Sequence, residues 1–278
     1  MTRYAMVINL NRCIGCDVCL MVCKDQYVDN DYLPYTKAQP ETGHFWMYVS
    51  EIERGEFPSL KVNWLPKPCM HCDDAPCIKS SNGSVYKRSD GIVIIDPVKS
   101  VGQLQIVNSC PYGRIYWNQK EAIPQKCTFC AHRVDQGLTP ACVEACPLQA
   151  LAFGDLDDPN SLVSKLIVEG KAEPLNPEYG TKPKVYYIGL PKDFISGRVV
   201  DSKGELLQGV EVTVLSLRSD KKWVTKTDRY GDFMIDGLTS GTSYSVSFEK
   251  IGFLPRKRLV HLSKSTYLGD ITLYRKTA

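Results

Sequence analysis

All twelve cysteines of this 278-residue chain lie between Cys13 and Cys146, and residues 147–278 contain none. No other sequence feature limits the fold as strongly. A stretch this dense in cysteine is either a disulfide scaffold, as in short secreted domains, or a set of metal ligands. The chain is long enough for two or three domains with real cores. Cys13 also arrives before a charged n-region, an apolar h-region and a cleavage site could be completed. The expectation is therefore an unprocessed, soluble, cytoplasmic chain whose thiols bind metal. No apolar run approaches the roughly 18–20 residues of a membrane helix, so no span is expected. A net charge of +3 gives no reason to expect nucleic acid as a partner. Lys221-Lys222 and Arg256-Lys257-Arg258 read as solvated surface.

The cysteines fall into four groups. The first is Cys13-Ile-Gly-Cys16-Asp-Val-Cys19-Leu-Met-Val-Cys23; the second is Cys69-Met-His-Cys72 with Cys77. The third is Cys110 with Pro111, and the fourth is Cys127-Thr-Phe-Cys130 with Cys142 and Cys146-Pro147. The first group has the C-x2-C-x2-C-x3-C spacing of two-cluster iron–sulfur folds, in which three cysteines hold one cube and the fourth reaches its neighbour. Two-residue steps curl the backbone around a cube, so that amide N–H groups can point at sulfur. Proline after a fourth cysteine suits a chain leaving at fixed φ. Zinc is the rival, since it too uses C-x2-C pairs. Four cysteines within eleven residues make a poor tetrahedron, and Ile14, Val18, Leu20 and Val22 give the loop an apolar lining. His71 and His132 lie in the cysteine loops, but Rieske ligation needs paired histidines on one iron, so they read as neighbours rather than ligands. Lys126 and Arg133 either place positive charge near a cluster or are ordinary surface.

An internal repeat orders these groups. Val7-Ile8-Asn9-Leu10-Asn11-Arg12-Cys13 is matched 87 positions later by Ile94-Ile95-Asp96-Pro97-Val98-Lys99-Ser100. At that offset Cys16 meets Gln103, Cys19 meets Ile106 and Cys23 meets Cys110. Likewise Ala75-Pro76-Cys77 parallels Pro140-Ala141-Cys142, with Ser81 where the other copy has Cys146. Under the crossed rule, Ser81, Ser100, Gln103 and Ile106 would all serve one cluster. One site is missing whole, and three [4Fe–4S] sites remain. The first is Cys13, Cys16, Cys19 and Cys146. The second is Cys23, Cys127, Cys130 and Cys142. The third is Cys69, Cys72, Cys77 and Cys110.

The expected organisation has two interleaved cluster lobes in 1–154, made of 1–68 with 111–154 and of 69–110. A connector follows at 155–193 and a β-domain at 194–278. In the first insert, His44–Ile52 reads as a strand, Glu53-Arg54-Gly55-Glu56 as a turn and Leu60–Leu65 as a second strand. Trp46 and Trp64 either anchor a partner or pack beneath the cluster lobes. Asp157-Asp158-Pro159 signals a helix start, Leu162, Leu166 and Ile167 give it an apolar face, and Gly170 ends it. From Phe194 on, alternation such as Val210, Val212, Val214 and Tyr244, Val246, Phe248 predicts about seven short strands in an antiparallel sandwich. No catalytic constellation is visible there, and His261 reads as structural.

CIGCDVC, CMHCDDAPC, DGIVIIDP, CPYGR, KCTFC and PACVEACP together resemble the electron-transfer subunits of molybdopterin oxidoreductases of the dimethyl-sulfoxide-reductase type. Those subunits typically carry four clusters; this chain departs at Ser81, Ser100, Gln103 and Ile106. ISGRVVDSKGELLQGVEVTV, TDRYGDF and LGDITL resemble a carboxypeptidase-regulatory or transthyretin-like β-domain. The implied fold class is α+β, a ferredoxin-like pseudo-repeat followed by an all-β sandwich. The resemblance also implies a large partner subunit, in a heterodimer or higher assembly. That partner would hold molybdenum on molybdopterin guanine dinucleotide and the substrate site, leaving no catalytic residue on this chain. The alternatives are the electron relay subunit of a reductase for a sulfur, selenium or arsenic compound and, in a different class, a non-catalytic metal-binding scaffold.

Overall fold

The computed structural model describes residues 2–276. The chain divides into two units: residues up to Glu51 with Asn63–Leu190, and Ile52–Val62 with the residues from Pro191 on.

The first unit is organised around β1 (Tyr4–Asn9). Ala5, Met6, Val7 and Ile8 are all fully buried, the continuous apolar run of a strand covered on both faces. After the first cysteine loop comes α1 (Val18–Tyr27), which buries Cys19, Cys23 and Tyr27 at helical spacing. The hairpin β2 (Tyr48–Glu56) and β3 (Ser59–Lys67) follows. Then come α2 (Pro76–Lys79), β4 (Val85–Lys87), β5 (Val93–Ile95) and α3 (Gln105–Asn108). A small hairpin, β6 (Tyr116–Asn118) with β7 (Ile123–Gln125), leads to α4 (Ala131–Val134) and α5 (Ala141–Glu144). The unit closes with β8 (Leu151–Asp155), α6 (Leu162–Glu169), β9 (Glu173–Pro174) and β10 (Val185–Ile188).

The repeat is visible in backbone detail. β1 pairs antiparallel with β8, and β5 pairs antiparallel with β4. Asn9 accepts from the Asn11 N–H at 3.1 Å, and its counterpart Asp96 accepts from the Val98 N–H at 2.9 Å. These are the same Asx turn, made twice. The helices α2 and α5 are each one turn long and each carries a cysteine, Cys77 and Cys142.

Several local expectations shift. The first insert strand starts at Tyr48 and runs straight through Glu53–Glu56. The turn falls instead on Phe57-Pro58, where proline cannot donate to a ladder. The helix expected from Asp157 begins at Leu162, because Ser161 caps it by accepting the Ser164 N–H at 3.1 Å. Val163 is its fully buried residue, while Leu162 is exposed. Residues 155–193 carry more structure than a linker. β10 lies parallel to β1, with Met6 opposite Val185, in a sheet ordered β8-β1-β10-β9. Trp46 is buried against Tyr27, so it serves the core.

The second unit has seven strands: β11 (Asp193–Asp201), β12 (Glu211–Ser216), β13 (Lys222–Lys226), β14 (Asp232–Leu238), β15 (Thr242–Glu249), β16 (Arg256–Leu262) and β17 (Thr266–Leu273). They form two sheets, β14-β11-β17 and β13-β12-β15-β16, which share one apolar core containing Val212, Val214, Tyr244, Val246 and Phe248. That is sandwich architecture. The pairing of β11 with β17 is parallel, so the sandwich is not wholly antiparallel as expected: the chain leaves β16 in one sheet and enters the other beside its first strand. The outer part of the β2–β3 hairpin belongs to this unit, where Lys61 Nζ lies 2.6 Å from Asp236.

Candidate metal centres

All twelve thiols are free of disulfides. Cys13, Cys16, Cys19 and Cys146 surround a recess that Ile14, Val49, Pro66, Pro147 and Leu151 help to line. Burial, followed by neighbours Cys13, Cys146 and Cys16, pushes Cys19 up to about 12. Cys69, Cys72, Cys77 and Cys110 surround a second recess with Met70, Val93, Pro111 and Ile115. There burial and then Cys69 push Cys72 up to about 12. Cys23, Cys127, Cys130 and Cys142 converge in the interior. Burial raises Cys23 and Cys142 far above the ordinary thiol value, and the next contributions come from Cys127 and Cys130 for Cys23, and from Cys130, Cys23 and Cys127 for Cys142. The groups adjoin one another: Cys142 senses Cys19, and Cys127 senses Cys69.

The loops repeat one geometry. In the first C-x2-C step of the first, second and fourth groups the residue before the second cysteine has positive φ: Gly15 at +67°, His71 at +44° and Phe129 at +52°. This curl turns a backbone N–H onto sulfur, with His71 N–H 3.5 Å from Cys69 Sγ and Phe129 N–H 3.4 Å from Cys127 Sγ. After each Cys-Pro, the amide four residues on returns to the same sulfur. Arg114 N–H reaches Cys110 Sγ at 3.4 Å, and Ala150 N–H reaches Cys146 Sγ at 3.2 Å. Donors to sulfur stabilise thiolate and tune a bound cluster.

Four thiols per recess, apolar walls and amides aimed at sulfur match the donor chemistry of a [4Fe–4S] cube. A single zinc ion would draw its sulfurs to about 3.8 Å of one another, from the tetrahedral geometry and bond length of such sites. Among the described residues, no three His, Cys, Asp or Glu side chains converge for one ion.

The degenerate fourth site retains the loop but none of the thiols. Gly102, at the position of Gly15, keeps φ at +78°. Ser81 Oγ accepts the Val85 N–H at 3.2 Å, the same four-residue return that Cys110 and Cys146 receive on sulfur. The side chains here are linked to one another or buried. Gln103 Oε1 accepts from Ser84 Oγ at 3.0 Å and the Asn82 N–H at 3.3 Å, and its amide nitrogen donates to Lys99 O at 2.7 Å. Ile106 and Ser100 are fully buried.

His71 stacks on Phe129 with centroids 3.7 Å apart, joining the two equivalent loops. His132 stacks on Tyr32 at 3.7 Å, and burial lowers it to about 4. The two other residues singled out by charge separate. Arg133 pairs with Glu144, whereas Lys126 is only 2% exposed, a burial that sequence reasoning did not foresee.

This geometry defines a ferredoxin-type iron–sulfur protein with several cysteine sets in a duplicated scaffold. Residues 60–156 match a 4Fe-4S dicluster domain, and residues 195–274 a carboxypeptidase regulatory-like domain. Over 98% of its length and 100% of the relative's, the chain is 37% identical to the pyrogallol hydroxytransferase small subunit of Pelobacter acidigallici. It is 34% identical to the arsenate respiratory reductase iron–sulfur subunit of Shewanella sp. strain ANA-3, over 67% of this chain and 96% of that one. A tetrathionate reductase subunit of Salmonella typhimurium is 37% identical over 70% of this chain and 75% of its own. The chain belongs to the iron–sulfur electron-transfer subunits of the molybdopterin oxidoreductases. Among the described residues, no helix is long and apolar enough to cross a membrane.

Proposed function

We propose that the chain is the electron-transfer and redox-poising small subunit of a cytoplasmic molybdenum enzyme that moves a hydroxyl group between phenolic rings, from pyrogallol toward phloroglucinol. The observation that carries this is the whole-length match to a pyrogallol hydroxytransferase small subunit, which includes the β-domain. The two reductase subunits described above match only about two thirds of the chain.

In this reading Cys13, Cys16, Cys19 and Cys146 hold one [4Fe–4S] cluster. Cys23, Cys127, Cys130 and Cys142 hold a second, and Cys69, Cys72, Cys77 and Cys110 a third. Bound clusters supply one-electron transfer. The chain's own residues set the surroundings: Phe129, His71, Arg114 and Ala150 place amides on sulfur, and apolar side chains line the recesses of the first and third sets. The two lobes are 1–68 with 111–154, and 69–110. A large partner subunit holds molybdenum on molybdopterin guanine dinucleotide and binds substrate, so this chain has no catalytic residue. The hydroxyl transfer consumes no net electrons, which suits a subunit that lacks a fourth cysteine set.

The test is anaerobic co-purification followed by metal analysis and assay. The expected result is a partner containing molybdenum, about twelve irons on this subunit, and hydroxyl transfer between phenols. Steady reduction of an arsenic or sulfur oxyanion by an artificial donor, with no activity on phenols, would replace this reading with a reductase relay. That second reading is favoured by the names of the shorter-matching relatives.

A further inference from the structure

We infer that Lys24, Lys67 and Arg114, set against the rings of Phe45, Tyr48 and Tyr116, form a landing surface for the acidic face of a small one-electron carrier protein. This rests on the three-cluster reading above and goes further by naming a second, transient partner and the surface on which it docks.

The three cations and three rings make one continuous ribbon. Lys67 Nζ lies 5.7 Å from the centroid of the Tyr48 ring. The Arg114 guanidinium lies 5.3 Å from the same centroid and 5.4 Å from that of Tyr116. The Tyr116 hydroxyl donates to Phe45 O at 2.8 Å, and Lys24 Nζ stands 5.8 Å from the centroid of the Phe45 ring. Phe45 and Tyr48 are 36% and 41% exposed, and the three cations are half-buried. Among the described residues, no carboxylate forms an ion pair with any of the three. Lys24 Nζ donates to the carbonyl oxygens of Pro40 and Gly43, the latter at 2.9 Å. Arg114 donates to those of Gly113 at 2.9 Å and Lys67 at 3.5 Å. Carbonyl oxygens and ring faces hold these long side chains in place without cancelling their charge.

The ribbon borders two cysteine sets. Lys24 follows Cys23 of the second set, and Lys67 stands two residues before Cys69 of the third. The Arg114 N–H reaches Cys110 Sγ of the third set at 3.4 Å. Val49 and Pro66, next to Tyr48 and Lys67 in their strands, help to line the recess of the first set, so the ribbon takes the opposite face of the hairpin. Three uncompensated cations call for a negative surface, and charge of this kind steers and orients a partner more than it tightens binding. Electron-transfer encounters are small and weak in the same way. Nucleic acid is a poorer fit, because its bases need free ring faces and Arg114 already engages Tyr48 and Tyr116. In the transfer, one electron leaves the reduced carrier, an iron–sulfur or flavin protein, which is oxidised by one unit. The adjoining second or third cluster is reduced by one unit, and no bond or proton moves. Hydroxyl transfer consumes no net electrons, so such a carrier serves only to set the oxidation state of the centres, which suits a transient contact.

The experiment uses the intact complex without oxygen, and the probe is a plant-type ferredoxin with an acidic surface. Calorimetry reads its binding, and stopped-flow bleaching reads how fast its reduced form reduces the complex, each from low to high salt. Reduced methyl viologen, a small cation, is the control donor. Binding and rate should both fall as salt rises. The double variant Lys67→Gln with Arg114→Gln should slow the ferredoxin reaction by about tenfold or more at low salt and leave the viologen reaction unchanged. Arg114→Lys should keep most of the ferredoxin rate. The inference is overturned if the ferredoxin does not bind the unaltered complex, if salt does not weaken it, or if the double variant matches the unaltered complex or slows both donors alike. It is also overturned if the double variant loses the large subunit, since the surface would then be a seat between subunits. If that variant does not fold, competition on the unaltered complex decides. Polyglutamate should displace the ferredoxin, and displacement by single-stranded RNA but not by polyglutamate would overturn the inference. Ferredoxin binding with an iron content far below about twelve would instead sink the three-cluster reading alone.

Discussion

Replacing Gly15 by alanine tests whether the first cysteine loop is shaped as described. Gly15 has φ of +67°, and an added Cβ would lie 2.3 Å from both Cδ1 and Nε1 of Trp64. Two costs add. Left-handed backbone at a residue with a Cβ costs about 1–2 kcal/mol. Moving a packed indole ring costs about 1–3 kcal/mol, the range for overpacked sites. The smaller entropy of the unfolded alanine chain offsets about 0.4–1 kcal/mol. The net loss is about 2–4 kcal/mol, confined to this loop. Gly113 is the control: its φ is +61°, yet nothing lies within 4 Å of its added Cβ. Gly113→Ala should cost only about 0.5–1.5 kcal/mol, the backbone part alone. The assay is the rate at which a chelator bleaches the purified complex under anaerobic conditions, which reads local opening of each loop. With tenfold for each 1.4 kcal/mol, Gly15→Ala should release about a third of its iron about 30- to 1000-fold faster. Gly113→Ala should change its own third by about tenfold or less. Equal bleaching of the two variants would refute the role given to Trp64.

Cys110→Ser should lower the iron content by about four per chain, the content of one cube, and leave the rest in place; loss of all iron would mean that the sets are not independent. The combined change Ser81→Cys, Ser100→Cys, Gln103→Cys and Ile106→Cys should raise iron from about twelve to about sixteen, with no gain if any one cysteine is left out. Asp135 accepts from Arg88 and Tyr35, and chiefly the Arg88 hydrogen bond holds its carboxyl below the ordinary value of 3.8. Its stabilising effect is therefore present above about pH 4 and is lost only as pH falls through the depressed folded value. After allowance for solvent screening, Asp135→Asn should cost about 0.5–1 kcal/mol. The difference in melting temperature should be constant from pH 5 to pH 8, and a slope in that window would contradict the assignment.

The cysteine grammar was legible because ligand spacing and backbone curl are local. Gly15, His71 and Phe129 share one left-handed position ahead of the second cysteine of their groups. The strands of the β-domain were equally readable from alternation and turn residues such as Ser202-Lys203-Gly204. What escaped was non-local. Val185–Ile188 is a short β-rich run after several prolines, and nothing within it says that it will lie parallel to β1. The strand through Glu53–Glu56 overrides residues that locally favour a turn, because Phe57-Pro58 is the better break. The burial of Lys126 was hidden for a deeper reason. Its Nζ is held by the carbonyl oxygen of Val93, a partner distant in sequence that no local pattern announces.

The missing fourth site shows why ligand loss takes the form seen here. Losing one thiol from a set of four would leave three buried thiols in a recess shaped for a cube. Burial, together with neighbouring thiols, raises such groups, as it does Cys19 and Cys72, both pushed to about 12, so they would persist as protonated groups around an unfilled space. Replacing all four residues removes that penalty together with the metal. Ile106 supplies apolar volume, Gln103 ties Ser84 and Asn82 to Lys99, and Ser81 keeps the Val85 amide satisfied. The backbone needs an acceptor at position 81, and oxygen serves where sulfur would. Only the Ser100 hydroxyl is left buried without a partner in this group. The loop around Ser81, Ser100, Gln103 and Ile106 is thus shaped by the turn at Gly102 and the return at Val85, with no thiol of its own.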